Sequence, residues 1–222
     1  MGAGPTRSGA CALAALAALA LVSPVRAAPY VAASGDRLAG RGPARGKLLV
    51  AARQLRGGGF ARSVVLLVQH DATGSMGLIV NRPSPIKLSE VLPSRKDVTK
   101  RGDDLWVGGP VQPTRLLLLA RAPERLVDGL PVFGEVQLIM TRRGLDRAFG
   151  MGIPPAAVRA YAGYAGWGPG QLDGEIARGD WHVVPAKVAS VFSPDPDELW
   201  TELVDGAAGR WVRLWDLDHA PM

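Results

Sequence analysis

The sequence predicts an α+β domain built on a mixed β-sheet. Three observations carry that reading. Apolar, β-branched runs double back through turn-forming residues, as Ser63–Val68 and Met76–Val80 do around Asp71–Ser75. Short helical patterns fall between such hairpin-like pairs rather than after every strand, which disfavours a doubly wound parallel sheet. Glycine (28 residues) and proline (18 residues) are frequent, so turns are many and elements short. A chain of 222 residues, 47% hydrophobic and 21% charged, is long enough to bury a substantial core.

Two segments precede the first strand. Arg7, an unbroken apolar run from Cys11 to Val22, the breaker Ser23-Pro24 and the small residues around Val25-Arg26-Ala27 read as a signal peptide over 1–27. The run is too short to span a bilayer comfortably. The expectation is export to the periplasm or beyond, with a cytoplasmic location if translation starts further in. Residues 28–45, with Arg37, Arg41 and Arg45 spaced among small residues, read as a flexible linker. A single domain over 46–216 and a tail over 217–222 complete the division. Cys11 is the only cysteine, so a processed chain has no disulfide, thiolate metal site or cysteine nucleophile. Without the leader, 24 basic side chains face 20 acidic ones, too mild an excess to specify nucleic acid.

Lys47–Ala51 is the first strand. Ser63–Val68 is continuously apolar and so buried on both faces. Met76–Val80 returns beside it until Asn81-Arg82-Pro83 stops it, because proline cannot donate to a ladder. A short helix is expected next, capped by Ser84, with Pro85 first and Leu88, Val91 and Leu92 facing inward. Residues 94–104 are charged and expected to be exposed. Residues 105–107 form a strand that meets Gly108-Gly109-Pro110. Strands follow over 115–120 and 135–140, then one or two helical turns over 144–150. A strand over 158–164 runs into a glycine-rich turn, Gly166-x-Gly168-x-Gly170. Leu172 and Ile176 anchor a helix that Gly179 ends. Residues 181–184 form a strand. Asp195, Pro196 and Glu198 open the last helix, with Leu199, Trp200, Leu203 and Val204 turned to the core.

Several separated motifs resemble the AlgH/YqgE family over about residues 46–215. They are Phe60-Ala61-Arg62-Ser63-Val64-Val65-Leu66-Leu67, His70, Gly77-Leu78-Ile79-Val80-Asn81-Arg82-Pro83, Gly108-Gly109-Pro110-Val111 and Tyr164-Ala165-Gly166-Trp167-Gly168-Pro169-Gly170-Gln171-Leu172. The resemblance implies a branched sheet containing a small closed barrel-like core, flanked by short helices. It implies no established enzymatic activity. Some members carry a transcriptional-regulator label, which the leader argues against, since an exported protein does not meet the chromosome.

The candidate recognition residues are Arg62, Ser63, His70, Asn81 and Arg82 from the hairpin, Gly108 and Gly109 from the bend, and Tyr164, Trp167 and Gln171 from the glycine-rich stretch. Arg62, His70, Asn81 and Arg82 end neighbouring strands and are expected to converge on one rim. Two guanidinium groups and an amide there suit an anionic ligand. The competing reading pairs Arg62 and Arg82 with carboxylates such as Glu175 or Asp173 and lets Asn81 satisfy turn amides. Amides at Gly166–Gly170, just before a helix, suit an anion or a tight turn that lets Trp167 pack. Gly108 and Gly109 are a bend or a phosphate cradle. Ser63 lacks a nucleophile elbow. Asp173 and Glu175 diverge on a helix. His70, His182 and His219 lack metal-ligand spacing. The expectation is a non-catalytic protein without cofactor, binding a small anion or a protein partner. The alternatives are a regulator, or a hydrolase or transferase acting on a phosphorylated compound.

Overall fold

The computed structural model describes residues 42–57 and 59–218, with side chains as far as Ala207. The leader, most of the linker, residues 219–222 of the tail (His219 among them) and the side chains of Trp211 and Trp215 lie outside the described residues. Strands β1 (Lys47–Ala51), β2 (Val64–Asp71) and β3 (Gly74–Ile79) form an antiparallel meander, with His70 opposite Ser75 at the β2–β3 turn. The first strand and the hairpin are those expected from the sequence.

The chain then departs from expectation. Pro83–Lys87 is not the start of a helix but an edge strand, β4, paired antiparallel with β5 (Asp104–Val107). An edge position accommodates both prolines, because their missing amides are not needed for a ladder. Ser84 caps no helix; its hydroxyl lies against the Ile86 amide, 3.2 Å away. Helix α1 (Leu88–Val91) starts later, and Glu90 reaches back to the Lys87 amide at 2.8 Å. The charged stretch that follows contains α2 (Lys96–Thr99), which buries Val98. Arg101 and Asp103, expected in solvent, form a largely buried ion pair.

Strand β6 (Val111–Arg121) precedes a strand that the sequence did not reveal, β7 (Gly129–Phe133). Then come β8 (Val136–Ile139), α3 (Arg142–Gly150) and a 3-10 turn at Pro155–Ala157. Strand β9 (Val158–Trp167) is longer than expected, because Tyr164–Trp167 is extended backbone rather than turn. Helix α4 (Gln171–Ala177), β10 (Trp181–Pro185), the short α5 (Val188–Val191) and the long α6 (Pro196–Asp218) finish the chain.

The sheet runs β10-β1-β2-β3-β9-β6-β8-β7 and branches at β9. One edge of β9 pairs with β6. The other edge is shared: Ala160–Ala162 takes β5 in parallel, and Ala165–Trp167 takes β3 antiparallel. The path ends at β10 and β7, so the sheet is a curled half-barrel with short helices around it. Alternation along its central strands separates two cores. Leu117, Leu119 and Tyr161 join one with Leu66, Trp181 and Trp200; Leu118, Ala120 and Ala160 join the other with Leu88 and Phe149.

Candidate functional site

The hairpin β2–β3 has two ends, and the candidate residues divide between them. At the open end, Arg62 adopts a left-handed backbone (φ 56°), uncommon for a side chain other than glycine. Asn81 holds that conformation. Its Oδ1 accepts from the Val64 amide at 2.8 Å, and its Nδ2 donates to the Arg62 carbonyl at 3.0 Å. The guanidinium of Arg62 lies 5.0 Å from the ring centre of Trp200. Arg82 donates to the Gly59 carbonyl at 2.6 Å. Ala61, Arg62, Asn81, Arg82, Pro83 and Asp197 line an open pocket of about 430 Å³. Among the described residues neither arginine has a carboxylate partner. The expected pairing with Asp173 or Glu175 is therefore not formed: Asp173 lies by His70 at the turn end, and Glu175 is taken up by Trp167, Trp181 and Gln171. Asn81 does satisfy a main-chain amide, as the structural reading held. Ser63 is buried and donates to the Phe60 carbonyl at 2.8 Å, closing the turn that presents Arg62.

At the turn end, about 20 Å away along β2, His70 Nδ1 lies 2.8 Å from Ser75 Oγ, and His70 Nε2 lies 3.9 Å from Asp173. The second distance is too long for a hydrogen bond, and Ser75 is buried between β2 and β9, so the trio ties strand ends rather than forming a nucleophile. His70 thus does not join the rim formed by Arg62, Asn81 and Arg82. The backbone of Gly166–Gly170 sits with His70, and the single recognition face expected from both motifs is divided.

The glycine-rich stretch has an internal purpose. Glu175 Oε2 accepts from the indole nitrogens of Trp167 and Trp181, each at 2.9 Å. Gln171 donates to Glu175 Oε1 at 3.0 Å and accepts from the Gly168 amide at 3.1 Å. That amide is accordingly not presented to a ligand. Burial works to raise the Glu175 carboxyl, but the hydrogen bonds from Trp181, Gln171 and Trp167, with the Arg178 charge, hold it below the usual range. Phe60 packs against both indoles at about 6 Å. Tyr164, half-buried, packs against the same core. Gly108 and Gly109 form no cradle. A Cβ on Gly108 would lie 2.2 Å from the Gly163 carbonyl oxygen, and one on Gly109 2.3 Å from the Tyr164 carbonyl carbon. They are glycines because β9 passes there.

Sequence reasoning missed two arrangements. Asp197, from the first turn of α6, forms a wall of the arginine pocket. Arg159 is buried at the start of β9. Its signal in the sequence was a lone arginine in an apolar strand. Among the described residues no three His, Cys, Asp or Glu side chains are grouped to hold a metal ion, and no helix is long and apolar enough to cross a membrane.

The curled half-barrel with short helices around it is an AlgH-like α+β fold. The AlgH-like family model matches residues 48–211, and the chain belongs to that family. It is 39% identical to a UPF0301 protein of Streptomyces avermitilis over 168 residues, 72% of this chain and 84% of that one. It is 40% identical to a UPF0301 protein of Methylococcus capsulatus over 180 residues, covering 76% and 93%. Among solved structures it resembles the AlgH protein of Pseudomonas aeruginosa (TM-score 0.62, 30% identity, 80% of this chain and 94% of that one). A protein from Corynebacterium diphtheriae gives the same TM-score, 0.62, at 28% identity, covering 73% and 86%.

Proposed function

We propose that this is a non-catalytic binding protein whose recognition site is the Arg62–Asn81–Arg82 pocket, and that its ligand is a small anion. The observation that carries the reading is Arg62 itself. A left-handed position is one where glycine is the low-strain choice. Here an arginine occupies it, fixed by Asn81 and facing a pocket shared with a second guanidinium. Asp197 lines the pocket without pairing with either arginine, and two guanidinium groups against one carboxylate leave the pocket net positive and suited to bidentate anion recognition.

Pyrophosphate is a suitable probe, measured by calorimetric titration. Saturable binding is expected, at least tenfold weaker in Arg62→Gly. That variant removes the guanidinium while relieving the backbone, so its stability should stay within about 1 kcal/mol of the parent. A wild-type protein that does not bind pyrophosphate, or an Arg62→Gly variant that binds it equally well, rejects the assignment. Export belongs to the same proposal. Mass spectrometry of the native mature protein should find Ala28 at the N-terminus, and a retained 1–27 segment removes this part.

A further inference from the structure

A second concavity, of about 460 Å³, adjoins the arginine pocket across Pro83 and the start of α6. Arg159 forms part of its wall and is only 8% exposed. The guanidinium donates to the Val80 carbonyl at 3.0 Å, the Val191 carbonyl at 2.7 Å and the Ser193 carbonyl. It lies 3.9 Å from the ring centre of Trp106 and 5.7 Å from that of Phe192. Among the described residues no carboxylate accepts from it. The two acids on the pocket wall have their own cations: Asp103 binds Arg101 at 2.5 Å, and Asp104 binds Lys87. Burial pushes the Arg159 guanidinium down, partly opposed by Tyr161. Tyr161, two residues on along the same face of β9, is fully buried, with its hydroxyl beside the Arg159 guanidinium. A cation removed from water and met only by dipoles and ring faces gains most from an anion delivered to it.

The chemistry of the walls selects the kind of anion. Pro83, Pro155, Pro194 and Pro196 line the concavity and have no amide to offer phosphate oxygens. Asp103 and Asp104 oppose a dianion. One guanidinium matches one carboxylate, and the prolines with Trp106 and Phe192 accept an apolar body. We infer that the concavity around Arg159 is a binding site for a monocarboxylate with an apolar or aromatic body, separate from the Arg62–Arg82 pocket.

The test titrates the full-length protein with benzoate, with inorganic phosphate as a second arm. It follows the Arg159 Nε–H and Trp106 indole signals by NMR. Saturable benzoate shifts are expected at both groups, with phosphate at least tenfold weaker there. Ala156→Phe fills the mouth from an exposed position without touching the Arg159 hydrogen bonds, and should weaken benzoate at least tenfold. Arg159→Gln should abolish binding, and Ala156→Phe decides the matter if Arg159→Gln does not fold. Arg62→Gly should leave benzoate unaffected, so this proposal can fail while the anion pocket stands, and the reverse. Absence of saturation, equal binding by Ala156→Phe, equal binding of phosphate, or loss of benzoate binding in Arg62→Gly overturns it.

Discussion

Glu175 shows how one side chain can organise a motif that looked like a ligand loop. It is the shared acceptor for two buried indoles, and both lose their partner if it is truncated. Leaving a buried donor unsatisfied costs about 1–3 kcal/mol, so Glu175→Ala is expected to lose about 2–4 kcal/mol in urea unfolding. Glu175→Gln, which keeps an acceptor, should lose less. The carboxyl also sets a pH dependence. Its folded pKa lies below the ordinary value of 4.5, so its contribution is present above that value and is lost as pH falls through the folded pKa. His182 acts in the same sense at higher pH. Burial depresses it below 6.5, so the unfolded chain takes up more protons just below that pH and stability falls with acidification. His182→Gln should flatten the stability profile beneath pH 6.5 in denaturant titrations, and an unchanged slope would discard this account.

At the scale of elements, glycine placement is dictated by strand β9. Gly108 and Gly109 let the chain leave β5 against the β9 backbone, where even a methyl group overlaps main-chain atoms. Gly108→Ala or Gly109→Ala should destabilise the domain by on the order of 3 kcal/mol or more. Gly150→Ala, at the end of α3 with nothing within 4 Å, should instead gain about 0.5 kcal/mol. Thermal unfolding of the three variants would separate close approach from simple chain flexibility. In the sequence alone, the first pair fits a bend or a phosphate cradle. Nothing local distinguishes those options, since the atom that forbids a side chain comes from a residue some fifty positions on. The misplaced helix at Ser84-Pro85 has a similar origin. Its capping signals were genuine, but pairing with β5 used the same residues as an edge strand.

At the scale of the whole molecule, periodicity revealed what it physically could. Leu116–Ala120 is apolar on both faces because its residues alternate between the two cores, and Val64–Val68 because both of its faces are buried within one of them. The capped start of α6 was equally plain, and its Trp200 donates to the Ala51 carbonyl at 2.7 Å. What stayed hidden was long-range pairing: which strand joins three others, and that the two ends of one hairpin hold different candidate residues. The Arg62–Asn81–Arg82 grouping was readable because its members flank adjacent strands. Arg159 was not, because its surroundings come from three separate segments.

Strand β9 is synthesised late, yet β3, β5 and β6 all close upon it. A ribosome releasing this chain therefore exposes three sticky sheet margins for as long as translation takes to reach Trp167. Nascent-chain stability should rise abruptly once β9 has emerged from the exit tunnel rather than gradually, and ribosome-tethered pulling experiments on chains that hold β9 inside or outside the tunnel would register the step.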